Sequence, residues 1–168
     1  ARCTVNSDAN EWFPTLTDSG TLYFGSERAG GKGRSDIWRA KAAAGTYGEA
    51  ENLGERINSA ASEFEPFGSP DGRFLLVAVA ARQDGMGAFD IYVSRNGNDG
   101  WTALKNLGDT INSAGWDFSP RISPDGKYFF FTSSRGFTDS PLERKLTYDE
   151  LIARLHAPGN GLRDIYRV

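Results

Sequence analysis

The sequence predicts an all-β protein, a β-propeller of four-stranded antiparallel blades. The first observation is a repeat: Val5-Asn6-Ser7, Ile57-Asn58-Ser59 and Ile111-Asn112-Ser113 recur at steps of 52 and 54 residues. The second is a fixed order of landmarks after each of these. An acid follows four residues after the serine, at Glu11, Glu63 and Asp117, and a proline three residues later, at Pro14, Pro66 and Pro120. The third is spacing, since one unit of about 50 residues with aromatic landmarks has room for four short strands and their turns, the size of a propeller blade.

Each unit divides in the same way. Strand a covers the segment around 13–16, 64–68 or 118–122. A turn with Gly20, Gly72 or Gly126 follows, the last two within Ser-Pro-Asp-Gly, where glycine reaches positive φ without a steric cost. Strand b is the run at 21–25, 73–80 or 127–132. Strand c carries Asp-Ile-aromatic, at Asp36-Ile37-Trp38, Asp90-Ile91-Tyr92 and Asp164-Ile165-Tyr166. Strand d is expected around 47–53 and 101–107, ending in Asn-Leu-Gly at 52–54 and 106–108. The first blade is expected over about 8–54, the second over about 60–108 and the third over about 114–168. The third carries an insertion at about 136–163. Within it Thr147 and Glu150 form a capping box, Leu146 and Leu151 suit a hydrophobic staple, and Leu151, Ile152 and Leu155 form an apolar stripe, so a short helix ending at Pro158-Gly159 is predicted.

Bulk properties narrow the function classes. The 168 residues carry a net charge of −3 with both signs interspersed, and 20 glycines in short clusters. A nucleic-acid surface needs a basic face, which is missing. No apolar run approaches a membrane span. The single cysteine, Cys3, forms no internal disulfide.

The combination acid-x-x-Pro, Ser-Pro-Asp-Gly-Lys-Tyr-Phe-Phe-Phe (123–131), Ser-x-Arg-x-Gly-Gly-x-Gly-x-x-Asp-Ile-Trp (26–38) and Asn-Leu-Gly resembles the TolB-type, WD-like β-propeller repeat family. The resemblance covers nearly the whole chain. It implies a six-bladed propeller of the bacterial cell envelope, a periplasmic or otherwise extracytoplasmic location, and a protein partner. Two departures stand out. The second unit reads Ala80-Ala81-Arg82-Gln83-Asp84-Gly85, without the serine and one glycine of the loop, and the third carries the insertion. Three blades are half of such a ring and leave open sheet edges. The chain is therefore expected to be the C-terminal half of a longer protein, or else to close its ring with a second copy.

In an a-b-c-d meander the d-to-a and b-to-c connections share one face. The repeated polar residues then gather around the channel mouth, where loops carry function, and the inserted helix is expected over or beside it. The acids Glu11, Glu63 and Asp117 read either as a carboxylate ring for a cation, basic peptide or sugar, or as loop ties that accept backbone N–H bonds. A pair of them also suits a glycosidase acid and base, but identical acids in every unit argue against the unlike roles that catalysis requires. Arg28, Arg82 and Arg135 are expected to pair across the b–c hairpin with Asp36, Asp90 and Asp164, and the glycines between them to present N–H groups to an anion. Asn6, Asn58 and Asn112 read as turn formers. Trp12 and Trp116 flank the acids and suit stacking on a sugar or peptide, whereas Trp38 and Trp101 suit packing between blades. The segment 96–101 reads as a hairpin turn, since the calcium-loop pattern it begins has Leu107 where a glutamate is needed. One histidine, His156, and one cysteine make no zinc site, and there is no Gly-x-Ser-x-Gly elbow. No cofactor is implied. The residues favour a non-catalytic scaffold binding a protein or envelope glycan, with a sialidase-like propeller hydrolase as the alternative and a purely structural part of a larger protein as the third reading.

Overall fold

A computed structural model describes residues 5–136 and 142–168. Cys3 and positions 137–141 of the insertion lie outside them. The first unit contains β1 (Glu11–Leu16), β2 (Leu22–Ser26), β3 (Asp36–Ala40), β4 (Ala42–Ala43), β5 (Thr46–Tyr47) and β6 (Glu51–Asn52). The second contains β7 (Ser62–Gly68), β8 (Phe74–Ala80), β9 (Phe89–Gly97), β10 (Gly100–Trp101) and β11 (Lys105–Asn106). The third contains β12 (Asp117–Ile122), β13 (Phe129–Ser133), α1 (Tyr148–Leu155) and β14 (Asp164–Arg167). The sheets run β1-β2-β3-β6, then β7-β8-β9 with β10 and β11 both on β9, then β12-β13-β14, antiparallel throughout. This is a partial propeller. One detail differs from the predicted strand d: Tyr47 pairs with Ala42 in a separate β4–β5 hairpin, and only Glu51–Asn52 joins β3. The predicted hairpin turn at 96–101 is present, with Gly97 opposite Gly100.

The acid-x-x-Pro pattern builds the same irregularity three times. Register slips between Trp12 and Thr15, between Phe64 and Phe67, and between Phe118 and Arg121. The residue before each proline, Phe13, Glu65 or Ser119, takes φ near +50°. Proline has no N–H for the ladder, so the strand bulges there instead of pairing. Neighbouring bulges meet, since the Ser119 hydroxyl donates to Glu65 at 2.6 Å.

The core lies between sheets. Ile37, Leu75, Val77, Val79 and Tyr92 are fully buried in one cluster with Tyr23 and Trp101. The ring of Trp101, from the second sheet, meets Tyr23 of the first edge-on at 5.9 Å, in line with the expected inter-blade role. Trp38 packs with Val5, Phe24 and Ala40. Successive units are also latched by their asparagines, which are structural groups and more than turn formers. Asn58 and Asn112 are 1% exposed. Asn58 accepts from the Ile37 N–H at 2.8 Å and donates to the Ile37 carbonyl at 2.9 Å, and Asn112 does the same to Ile91. The Asn-Leu-Gly asparagines complete this network: Asn52 and Asn106 each accept from the latch residue that follows.

Candidate functional site

The d-to-a and b-to-c connections do share a face, and they touch. A side chain at Gly33 would place its Cβ 1.8 Å from the Ala61 carbonyl oxygen, and one at Gly87 2.2 Å from that of Gly115. Glycine is required at both, because the b–c loop of one unit lies on the d–a segment of the next.

The expected Arg–Asp pairs across the hairpin do not form. Asp36 accepts from the backbone N–H groups of Lys32 and Gly33, Asp90 from Met86 and Gly87, and Asp164 from Gly159. The loop's N–H groups are therefore taken by the chain's own carboxylates, and the expected anion nest is filled from within. The arginines turn instead to the acids of strand a. Arg28 Nη2 lies 2.9 Å from Glu11 Oε1 and also reaches the Val5 carbonyl, while its Nε donates to Ser26. Arg135 repeats this with Asp117 at 3.1 Å, the Ile111 carbonyl and Ser133. Their guanidinium groups lie over Phe24 and Trp38, and over Phe131 and Tyr166.

The second unit breaks the pattern. Val79 pairs with Glu63 and Asp90 where Ser26 pairs with Glu11 and Asp36. From Ser26 to Asp36 is 10 positions and from Val79 to Asp90 is 11, whereas Arg28–Asp36 and Arg82–Asp90 are both 8. The extra residue is Ala81, at φ 50°. It moves Arg82 one position outward, where it pairs with Asp84 at 2.9 Å over the Tyr92 ring. Glu63 is left fully buried. Its Oε1 accepts from the Ser59 hydroxyl at 2.6 Å, and its Oε2 has no partner. Burial, with Asp36 adding to it, pushes the Glu63 carboxyl up to about 7 against the hydrogen bonds of Ser59 and the charge of Arg82. At Glu11 burial also pushes upward, but the bonds from Ser7, Arg28 and Ser26 outweigh it and the carboxyl sits below its ordinary value. All three acids thus tie their loops to the serine four residues earlier, and only Glu63 does so without a cation.

The same face carries an aromatic track. Trp12 stacks on Phe64 at 6.0 Å, Phe64 meets Phe89 at 5.6 Å, and Phe89 stacks on Trp116 at 4.9 Å. Arg163 lies 5.3 Å over both Trp116 and Phe118 and, with Leu162 and Ser134, borders a cavity of about 390 Å³ beside Trp116. Trp116 is 42% exposed. Of the track, sequence reasoning selected only Trp12 and Trp116. Phe64 and Phe118 had a readable signal, since each follows its acid as Trp12 follows Glu11. Phe89 and Arg163 had none, because Ser35 occupies the matching place in the first unit.

The predicted helix is present with its capping box, Thr147 accepting from the Glu150 N–H and Glu150 from the Thr147 N–H, and His156 at its C-cap. None of its residues is fully buried, and Ile152 and Arg154 are partly covered. The base of the insertion, where Gly136 bridges Asn160, adjoins the track.

No protein-family model and no curated protein matches this chain. Among solved structures it is similar to TolB from Acinetobacter baumannii, with a TM-score of 0.57 and 22% identity over 80% of this chain and 29% of that one. It is also similar to Kuenenia stuttgartiensis hydrazine synthase, with a TM-score of 0.45 and 20% identity over 70% of this chain and 35% of that one. The chain spans well under half of either protein. The first likeness shows that the fold is a TolB-like propeller.

Proposed function

We propose that this chain is a non-catalytic binding scaffold of an extracytoplasmic compartment, which engages a protein or an envelope glycan through the face built by its d–a and b–c loops. The observation that carries the reading is the aromatic track from Trp12 to Trp116, which crosses all three units on that face and ends under Arg163. Aromatic faces with an adjacent cation suit the apolar faces of sugars and the side chains of an extended peptide. The location rests on the family resemblance, as does the expectation of a protein partner. Blade limits near 8–54, 60–108 and 114–168 belong to the same reading.

The test is binding of cell-envelope glycan fragments and immobilised envelope proteins to the intact chain and to Trp116→Ala and Phe89→Ala. Tryptophan fluorescence supplies the readout for soluble ligands. A ligand bound by the intact chain and lost by both variants supports the reading. A folded chain that binds neither class, or a ligand indifferent to both substitutions, overturns it.

The hydrolase reading draws on one observation, the unlike environment of Glu63, whose carboxyl lies near 7 where Glu11 lies low. Two features weigh against it: Glu63 is fully buried, and Glu11 and Asp117 are held by arginines. Glycan cleavage that disappears in Glu63→Gln would establish it, and an inactive glycan panel with folded protein would remove it.

A further inference from the structure

The position before the strand-c aspartate differs in each unit. Ser35 donates to the Glu63 carbonyl at 2.8 Å and Phe89 stacks on Trp116, so both seal a seam between units. Arg163 does neither. Its guanidinium lies 5.3 Å from the ring centres of Trp116 and Phe118, both in its own unit. Elsewhere on the loop face Arg28, Lys32, Arg34, Arg82 and Arg135 each hold a carboxylate at 2.9–3.1 Å. Among the described residues the Arg163 guanidinium has no acid and no hydrogen-bond acceptor, and the adjacent Asp164 is committed to the Gly159 N–H. We propose that the cavity of about 390 Å³ between Trp116, Ser134, Gly161, Leu162 and Arg163 binds a sugar residue carrying one carboxylate, a hexuronate unit of an acidic envelope glycan. The carboxylate sits on Arg163, and a C–H face of the ring lies against the exposed parts of Trp116 and Leu162. The proposal rests on the reading of this face as a binding surface and narrows its ligand to an acidic sugar.

Stacking uses the flat face of a guanidinium and leaves its in-plane N–H groups free, so Arg163 is held ready to offer a fork to a carboxylate. Arg163 is the one charged group lining the cavity. A single guanidinium balances one negative charge, which a carboxylate carries and a phosphate monoester, at nearly two, exceeds. The Ser134 hydroxyl accepts from the Trp116 N–H at 2.9 Å and keeps its own hydrogen for a ring hydroxyl or the second carboxylate oxygen. Trp116 and Leu162 are exposed and supply apolar walls. A short acidic side chain would leave those walls uncovered, and a neutral sugar would leave the guanidinium unpaired, whereas a uronate meets both. The volume is at the small end of ligand pockets, room for one ring. The insertion fixes the rim: Asn160 accepts from the Leu162 N–H at 2.8 Å, donates to the Leu155 carbonyl at 2.9 Å and bridges Gly136, while Gly161 takes φ 87°. The third unit thereby gains a wall for which the other two have no residues.

The experiment titrates the intact chain with methyl β-glucuronide as the probe. Methyl β-glucoside is the neutral ring control, and N-acetyl-glutamate methylamide is the control for a carboxylate without a sugar ring. Binding is followed at low salt by proton–nitrogen NMR of the Trp116 indole N–H and the Arg163 Nε–H. The glucuronide is expected to bind about 10–100-fold more tightly than the glucoside, the worth of a charge-assisted fork, and added salt to narrow the gap. Arg163→Gln, read at the Trp116 signal, is expected to bring the two sugars level. Arg163→Lys is expected to keep only part of the preference, since a point charge lacks the fork. Failure to bind the glucuronide, equal affinity for the two sugars, or a preference that survives Arg163→Gln overturns the proposal. So does a glutamate amide that binds as tightly as the glucuronide, which would assign the cavity to an acidic peptide. Any of these alongside envelope-ligand binding that still depends on Trp116 and Phe89 sinks this inference alone, whereas a folded chain that binds no envelope ligand sinks the scaffold reading too.

Discussion

The Asn58 side chain holds both backbone polar groups of Ile37, at 2.8 and 2.9 Å, so the first residues of one unit finish the third strand of the unit before it. An amide is the one short side chain with a donor and an acceptor placed for this double bond. Both groups are buried, and removing the amide leaves an N–H and a carbonyl without partners.

Asn58→Ala is therefore expected to cost about 2–6 kcal/mol, from two groups at roughly 1–3 kcal/mol each. Asn112→Ala should match it, since Asn112 latches Ile91 in the same way. Asn6→Ala, at an exposed position, should stay within about 0.5 kcal/mol. Urea denaturation of the three variants checks the order, and equal effects at Asn6 and Asn58 would contradict the latch.

The register shift at Ala81 separates arginines that look alike in sequence. Arg135→Met strands Asp117, whose side chain is fully buried, and should cost about 3–5 kcal/mol. Arg82→Met breaks a pair with the half-exposed Asp84 and should cost about 0–1 kcal/mol. Thermal or urea unfolding of the two proteins side by side decides between this asymmetry and three equivalent pairs.

Glu63 makes stability depend on pH. Its carboxyl stands near 7 in the folded chain against an ordinary 4.5. Below about pH 4.5 both folded and unfolded chains hold the proton. Between 4.5 and 7 only the unfolded chain loses it, so the folded state weakens as pH rises, by about 3 kcal/mol in all. Above 7 the contribution is constant. Glu63→Gln stays neutral, so its stability relative to the parent should rise across that window and level off above it. A difference that is flat from pH 4 to 8 would show that Glu63 titrates normally.

Thr147→Ala removes the cap of α1. No residue of the helix is fully buried, so the effect of its loss is expected to stay local. Hydrogen exchange over residues 148–155 is expected to speed up, reflecting about 1 kcal/mol of local stability, with no change in global unfolding. A fall in global stability would mean that the helix packs on the blades after all.

The three-unit repeat, its four-strand division, the capping box and the shared loop face follow from the order of residues alone. Turn glycines, prolines and strand periodicity act over a few positions, and three copies in register leave little freedom in the reading. Partner choice was another matter. Arg28 and Arg82 read as equivalents with an aspartate across the hairpin, yet one binds Glu11 and the other Asp84. The aspartates had shorter paths, to the N–H groups of their own loops. A single additional residue at positive φ redirected Arg82 and left Glu63 alone in the core. Such choices depend on which charged groups lie within about 3 Å once the sheets stack, and on the burial that makes an unpaired charge costly. Periodicity carries no information on either, so the repeat was legible in sequence and its exception only in three dimensions.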